Sequence, residues 1–117
     1  MRHNKTVKTL DRKAGPRRAL YRTLLVSLIR DKKIVTTMAK AKALKPQIER
    51  LISRARKGDV AAKRYLLVNL SNATAANTMI KTIAPKYLTR NGGYTRIIKL
   101  ANRQGDGAAL AQLELVD

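Results

Sequence analysis

Charge constrains this chain before any other feature does. It carries 26 lysine and arginine side chains against 7 aspartate and glutamate, a formal +19 over 117 residues with the single histidine neutral. A small domain with that imbalance repels itself when it compacts. A polyanion removes the repulsion by supplying phosphates and releasing its own condensed counterions. The length argues for one domain with one core, so the sequence predicts a single small fold made to meet a polyanion. Nucleic acid is the first choice, and an anionic membrane surface is the competitor.

The core has unusual materials. Hydrophobic residues make up 44% of the chain, but there is no Phe, no Trp and only four Tyr. Leu, Ile, Val, Ala and Met must fill the interior. The absence of cysteine excludes disulfides and thiolate metal sites. No run approaches the roughly 18 apolar residues of a membrane span. Met1 to Asp11 lacks the apolar centre of a signal peptide and reads as part of the working protein.

The basic residues are concentrated early. Residues 1–57 hold 18 of the 26 with only Asp11, Asp31 and Glu49 to oppose them. Residues 1–16 contain Gly15-Pro16 and little apolar periodicity, and are read as a basic arm that orders along phosphates and is disordered alone. The remainder, 17–117, is read as one α+β domain. A helix is expected over 17–31, where Leu20, Leu24 and Leu28 recur beside Tyr21, Leu25 and Ile29. Pro16 suits its first turn. Ile34 to Thr36 is a short strand, and Thr36 or Thr37 caps the next helix. That helix uses Leu44, Ile48, Leu51, Ile52 and Ala55. Pro46 is expected to kink it, or to split it into 39–44 and 46–57. Gly58 ends it and Asp59 caps a helix over 60–70. A further helix over 73–84 closes at Ala84-Pro85. The lightly charged middle section is read as structural filling or a protein contact.

The period then changes. Tyr94 to Leu100 reads as a strand with Tyr94, Arg96, Ile98 and Leu100 on one face. Leu110 to Val116 reads as its antiparallel neighbour, with Ala111, Leu113 and Leu115 on one side and Gln112 and Glu114 on the other. Asn91-Gly92-Gly93 and Arg103 to Gly107 are turns. The segment at 34–36 completes a three-stranded sheet. The expected fold is thus about four helices packed on one side of a small sheet, plus the basic arm.

Phosphate contact is expected from Arg2, His3, Lys5, Lys8, Arg12 and Lys13 in the arm. Arg17, Arg18 and Arg22 on the first helix, Lys40, Lys42 and Lys45 on the second, and Arg103 near the end join them. Tyr94 and Arg96 follow a double glycine. Tyr94 either stacks on an unpaired base while Arg96 meets phosphate, or caps the sheet edge beside a solvated arginine. No helix-turn-helix, basic zipper or finger pattern is present. Gly105-Asp106-Gly107 lacks the further glycines and the Lys-Ser/Thr of a nucleotide cradle and reads as a plain turn. The lone His3 and scattered acids offer neither a metal site nor an acid–base pair. No enzyme activity, cofactor or small-molecule substrate is therefore expected. A nucleoid-type DNA-binding protein and a basic membrane-surface protein are the rival readings.

Several segments in order resemble the bacterial-type large-subunit ribosomal protein family numbered seventeen. They are Met1-Arg2-His3, Arg18-Ala19-Leu20 with Arg22, and Ile34-Val35-Thr36-Thr37 leading into Lys40-Ala41-Lys42-Ala43-Leu44. Gly92-Gly93-Tyr94-Thr95-Arg96-Ile97, Arg103-Gln104-Gly105-Asp106 and Glu114-Leu115-Val116 complete the series. The resemblance implies an α+β domain with a small mixed sheet. It implies binding to large-subunit ribosomal RNA near the outer opening of the nascent-chain tunnel, beside other large-subunit proteins, in the cytoplasm of a bacterium or in a bacterial-type organellar ribosome. The stretch 68–80 departs from it, being rich in Asn, Thr and Ala where more charge is expected.

Overall fold

The computed structural model describes residues 14–116. The elements run α1 (Ala14–Asp31), β1 (Lys33–Thr37), α2 (Met38–Ala55), α3 (Val60–Leu70), α4 (Ala73–Thr78), β2 (Thr95–Lys99) and β3 (Leu110–Leu115). A π-helical turn at Met79–Ile83 and a 3₁₀ turn at Ala84–Tyr87 carry the chain out of α4. The α+β expectation holds, with four helices packed on a three-stranded sheet. Helix α1 begins at Ala14, so it takes in the last residues assigned to the basic arm.

The sheet order is β1-β3-β2 and both pairings are antiparallel, which corrects the mixed sheet that the resemblance implied. β3 is central because β2 and β3 form a hairpin and β1 adds to the other side. Leu113 sits opposite both Ile34 and Ile97. Ala111, Leu113 and Leu115 are buried as the alternation required. Tyr94, Arg96, Ile98 and Leu100 do not share a face in the sense expected. Tyr94 precedes the strand and turns into the core, whereas Arg96 and Ile98 lie on the outer surface. Thr95 and Ile97 supply the inner face of β2 instead.

Each junction has a local cause. Lys32, in left-handed backbone at φ 68°, donates its N–H to Leu28 and ends α1, turning the chain directly into β1. Thr37 caps α2 by accepting from the Lys40 N–H at 3.4 Å. Pro46 neither splits nor ends α2, which runs unbroken from Met38 to Ala55. The lost N–H costs one intrahelical bond, but the flanking Leu44, Ile48, Leu51 and Ile52 are all buried, and their packing outweighs it. Gly58, at φ 64°, supplies the left-handed step after α2. Asp59 then caps α3, accepting from the Ala62 N–H at 2.7 Å. Replacing Asp59 with alanine should lower stability by about 1 kcal/mol, read as a shifted midpoint in urea unfolding.

The helical path does not close at Ala84-Pro85. The wide turn at 79–83 rotates the stripe so that Met79 and Ile83 both enter the core. Pro85 then occupies the first turn of the 3₁₀ segment, where it has no N–H to lose. Ala75 and Ala76 are buried, so the middle section fills the core in part. Among the described residues, no helix is long and apolar enough to cross a membrane.

Candidate nucleic-acid interface

Five carboxylates lie among the described residues, and the fold uses all of them. Asp31 pairs with Arg30 at 3.0 Å, Glu114 with Arg96 at 2.8 Å and Asp106 with Arg103 at 3.2 Å. Asp59 caps α3. Glu49 holds the start of β2, its two oxygens accepting from the N–H groups of Tyr94 (3.3 Å) and Thr95 (2.9 Å) and from the Thr95 hydroxyl (2.7 Å). The hydrogen bond from Arg30 draws the Asp31 carboxyl below its usual range. Asp106 is drawn down by the Ala108 N–H and then by Arg103.

The consequence is one-sided charge. Among the described residues, Arg17, Arg18 and Arg22 on α1 and Lys40, Lys42, Arg50 and Arg54 on α2 form no ion pair. Arg18, Arg22, Lys42, Arg50 and Arg54 are exposed, and Arg17 and Lys40 are half-buried. These helices bury Leu25, Leu28 and Ile29 and Leu44, Ile48 and Ile52 on their inner faces. Their arginines and lysines thereby stay toward water.

Other expected contacts have work inside the fold. Lys45 donates its ammonium to the Thr95 carbonyl at 2.7 Å and to the Thr95 hydroxyl at 3.3 Å. Arg96 and Arg103 carry ion pairs on the sheet surface and at the hairpin turn. Tyr94 is 1% exposed. Its ring lies 5.2 Å from that of Tyr87, and its hydroxyl accepts from Arg56 at 2.6 Å and from Ser53 at 3.4 Å. Burial pushes the phenol's pKa up, but the Ser53 and Arg56 hydrogen bonds and the Arg56 charge carry it below its ordinary value. In this arrangement the buried ring presents no face to a base, and it lies in the core ahead of β2 rather than capping the sheet edge. Gly92 and Gly93, at φ 95° and 64°, bend the chain so that the next two N–H groups meet Glu49. Arg2, His3, Lys5, Lys8, Arg12 and Lys13 lie outside the described residues.

Sequence reasoning missed a groove of about 250 Å³ where α1, α2 and α3 meet. Leu25 and Leu51 form its floor. Arg18, Arg22 and Arg50 border it, together with Tyr21, Tyr65, Gln47 and Asn69. Arg22 reaches the Val68 carbonyl across it at 3.5 Å. The guanidinium of Arg54 lies 4.5 Å above the Tyr65 ring. The spacing was present in the sequence, since 18, 21, 22 and 25 share one helical face and 47, 50, 51 and 54 share another. The meeting of these faces with α3 was not.

Residues 20–116 match the family described as Ribosomal protein L17. The chain is 47% identical over 116 residues to the large ribosomal subunit protein bL17 of Campylobacter fetus, covering 99% of this chain and 98% of that one. It is 43% identical over 117 residues to bL17 of Campylobacter hominis, covering 100% and 99% respectively. It is 46% identical over 115 residues to bL17 of Bdellovibrio bacteriovorus, covering 98% of this chain and 64% of that longer protein.

Proposed function

The chain belongs to the ribosomal protein L17 family, and from that premise we propose that it is a structural, non-catalytic constituent of the bacterial large ribosomal subunit. It binds and stabilises large-subunit ribosomal RNA near the polypeptide exit region, beside neighbouring large-subunit proteins, in the cytoplasm. The observation that carries the RNA contact is the basic surface of α1 and α2, where Arg17, Arg18, Arg22, Lys40, Lys42, Arg50 and Arg54 have no carboxylate partner among the described residues. Such a face suits a folded RNA held by backbone and shape, because phosphates supply affinity without a sequence code.

The apolar side of each helix fixes the domain while the basic side docks. The arm, with Arg2, Lys5, Lys8, Arg12 and Lys13, threads between RNA segments and neutralises their mutual repulsion. That neutralisation couples arm and RNA during subunit assembly. A chain lacking residues 1–15 should enter large subunits several-fold less efficiently, measured by gradient sedimentation of labelled protein. Undiminished entry would rule out the arm's part in assembly.

A further inference from the structure

The groove between α1, α2 and α3 differs in kind from the basic face around it, and we infer that it takes one unpaired nucleotide of the bound RNA, with the base against Tyr65 and its phosphate on Arg18 and Arg50. This rests on the ribosomal reading above and names a specific site within it. Phosphate neutralisation needs only lysines and arginines on an open surface. Here the cations border a concavity with an apolar floor, two tyrosines and two side-chain amides. That combination of stacking face, cation and hydrogen-bonding edge is how proteins hold single nucleotides that leave a helix.

The details agree. Its volume of about 250 Å³ falls just under the roughly 300–1,000 Å³ of sites for larger ligands, which suits one base rather than a helix. Tyr65 is half-buried, and the guanidinium of Arg54, which does not line the groove, lies over one face of its ring, so a base would meet the other face. Gln47 and Asn69 direct their NH₂ groups to the carbonyls one turn back, Ala43 at 3.3 Å and Tyr65 at 2.8 Å. Their side-chain oxygens are left as acceptors for a base's amino or imino hydrogens. Among the described residues no carboxylate lines the groove to repel a phosphate. The other two tyrosines of the chain, Tyr87 and Tyr94, are buried, so stacking falls to this groove.

The test uses the full chain as the sole copy in cells, with intact large subunits isolated and washed at rising salt. Three forms are compared: wild type, Tyr65→Leu, which keeps apolar bulk without a π face, and Tyr65→Phe, which keeps the face. Short-wavelength irradiation of wild-type subunits, followed by mass spectrometry, locates nucleotide adducts. The expected result is an adduct on Tyr65 or Tyr21, with Tyr65→Leu released roughly 5- to 100-fold more readily and Tyr65→Phe retained. Circular dichroism of the purified chains checks that the leucine form folds. Subunits that hold the chain, carry adducts only elsewhere and retain Tyr65→Leu like wild type would overturn the groove and leave the ribosomal reading standing. Absence of the wild-type chain from large subunits would overturn both.

Discussion

Replacing Glu49 with alanine should lower the unfolding free energy by about 3 kcal/mol. The carboxylate accepts from two successive backbone N–H groups and a buried hydroxyl, and hydrogen bonds to charged groups contribute about 1.5–3 kcal/mol each. The sum is not fully realised because Glu49 is only half-buried and water replaces part of what is lost. Thr95, at 4% exposure, has less recourse to water, and its N–H and hydroxyl lose their acceptor. A loss of that size corresponds to a fall in melting temperature on the order of 10–20 °C for a domain this small. Glu49→Gln keeps the shape and one acceptor oxygen and should fall between the two. Equilibrium denaturation of the three forms decides the matter. A change below about 1 kcal/mol for the alanine form would mean that Tyr94 packing and the Lys45 and Arg56 contacts seat the loop without Glu49.

The second large effect concerns binding. Converting Arg17, Arg18 and Arg22 together to glutamine removes three uncompensated charges from α1 while leaving its buried stripe of Leu25, Leu28 and Ile29 intact. Each phosphate contact contributes roughly 0.7–0.9 to the slope of log affinity against log salt. The triple variant should therefore bind a large-subunit ribosomal RNA fragment with a slope shallower by about two to three. Near 0.1 M salt the same loss weakens affinity by about two orders of magnitude. Binding titrations across a salt series measure both quantities, with circular dichroism confirming the fold. An unchanged slope would move the docking face away from α1.

Much of this architecture was legible because local rules and packing agree. Leu113 and its neighbours alternate cleanly because β3 is the central strand, buried on one face only. Asp59 and Thr37 were readable as caps because a short oxygen-bearing side chain before an apolar run satisfies a helix's first N–H groups. The split allowed for at Pro46 does not occur because one missing hydrogen bond is small beside the buried residues on either side. Tyr94 could not be placed from sequence. Its burial depends on Arg56, Tyr87 and Glu49, which converge from 7 to 45 residues away in the chain. The groove was hidden for the same reason. Each helix showed its share of the lining, but only the tertiary contacts join the three shares.

This also changes how the glycine-tyrosine segment should be understood. Its order and spacing are the most specific part of the resemblance, yet Tyr94 and Thr95 there are buried and bonded within the fold. Glu49, Lys45 and Arg56 hold it against α2. The basic surface is the less distinctive stretch of sequence, and on the present account it carries the RNA.

Crosslinking protein to RNA inside living cells, followed by gradient sedimentation and sequencing of the attached RNA, tests whether the chain binds large-subunit ribosomal RNA in the ribosome. Crosslinks to large-subunit ribosomal RNA are expected, with the protein in fractions of free large subunits and whole ribosomes. Crosslinks scattered over DNA or messenger RNA, with little protein in those fractions, would contradict that binding.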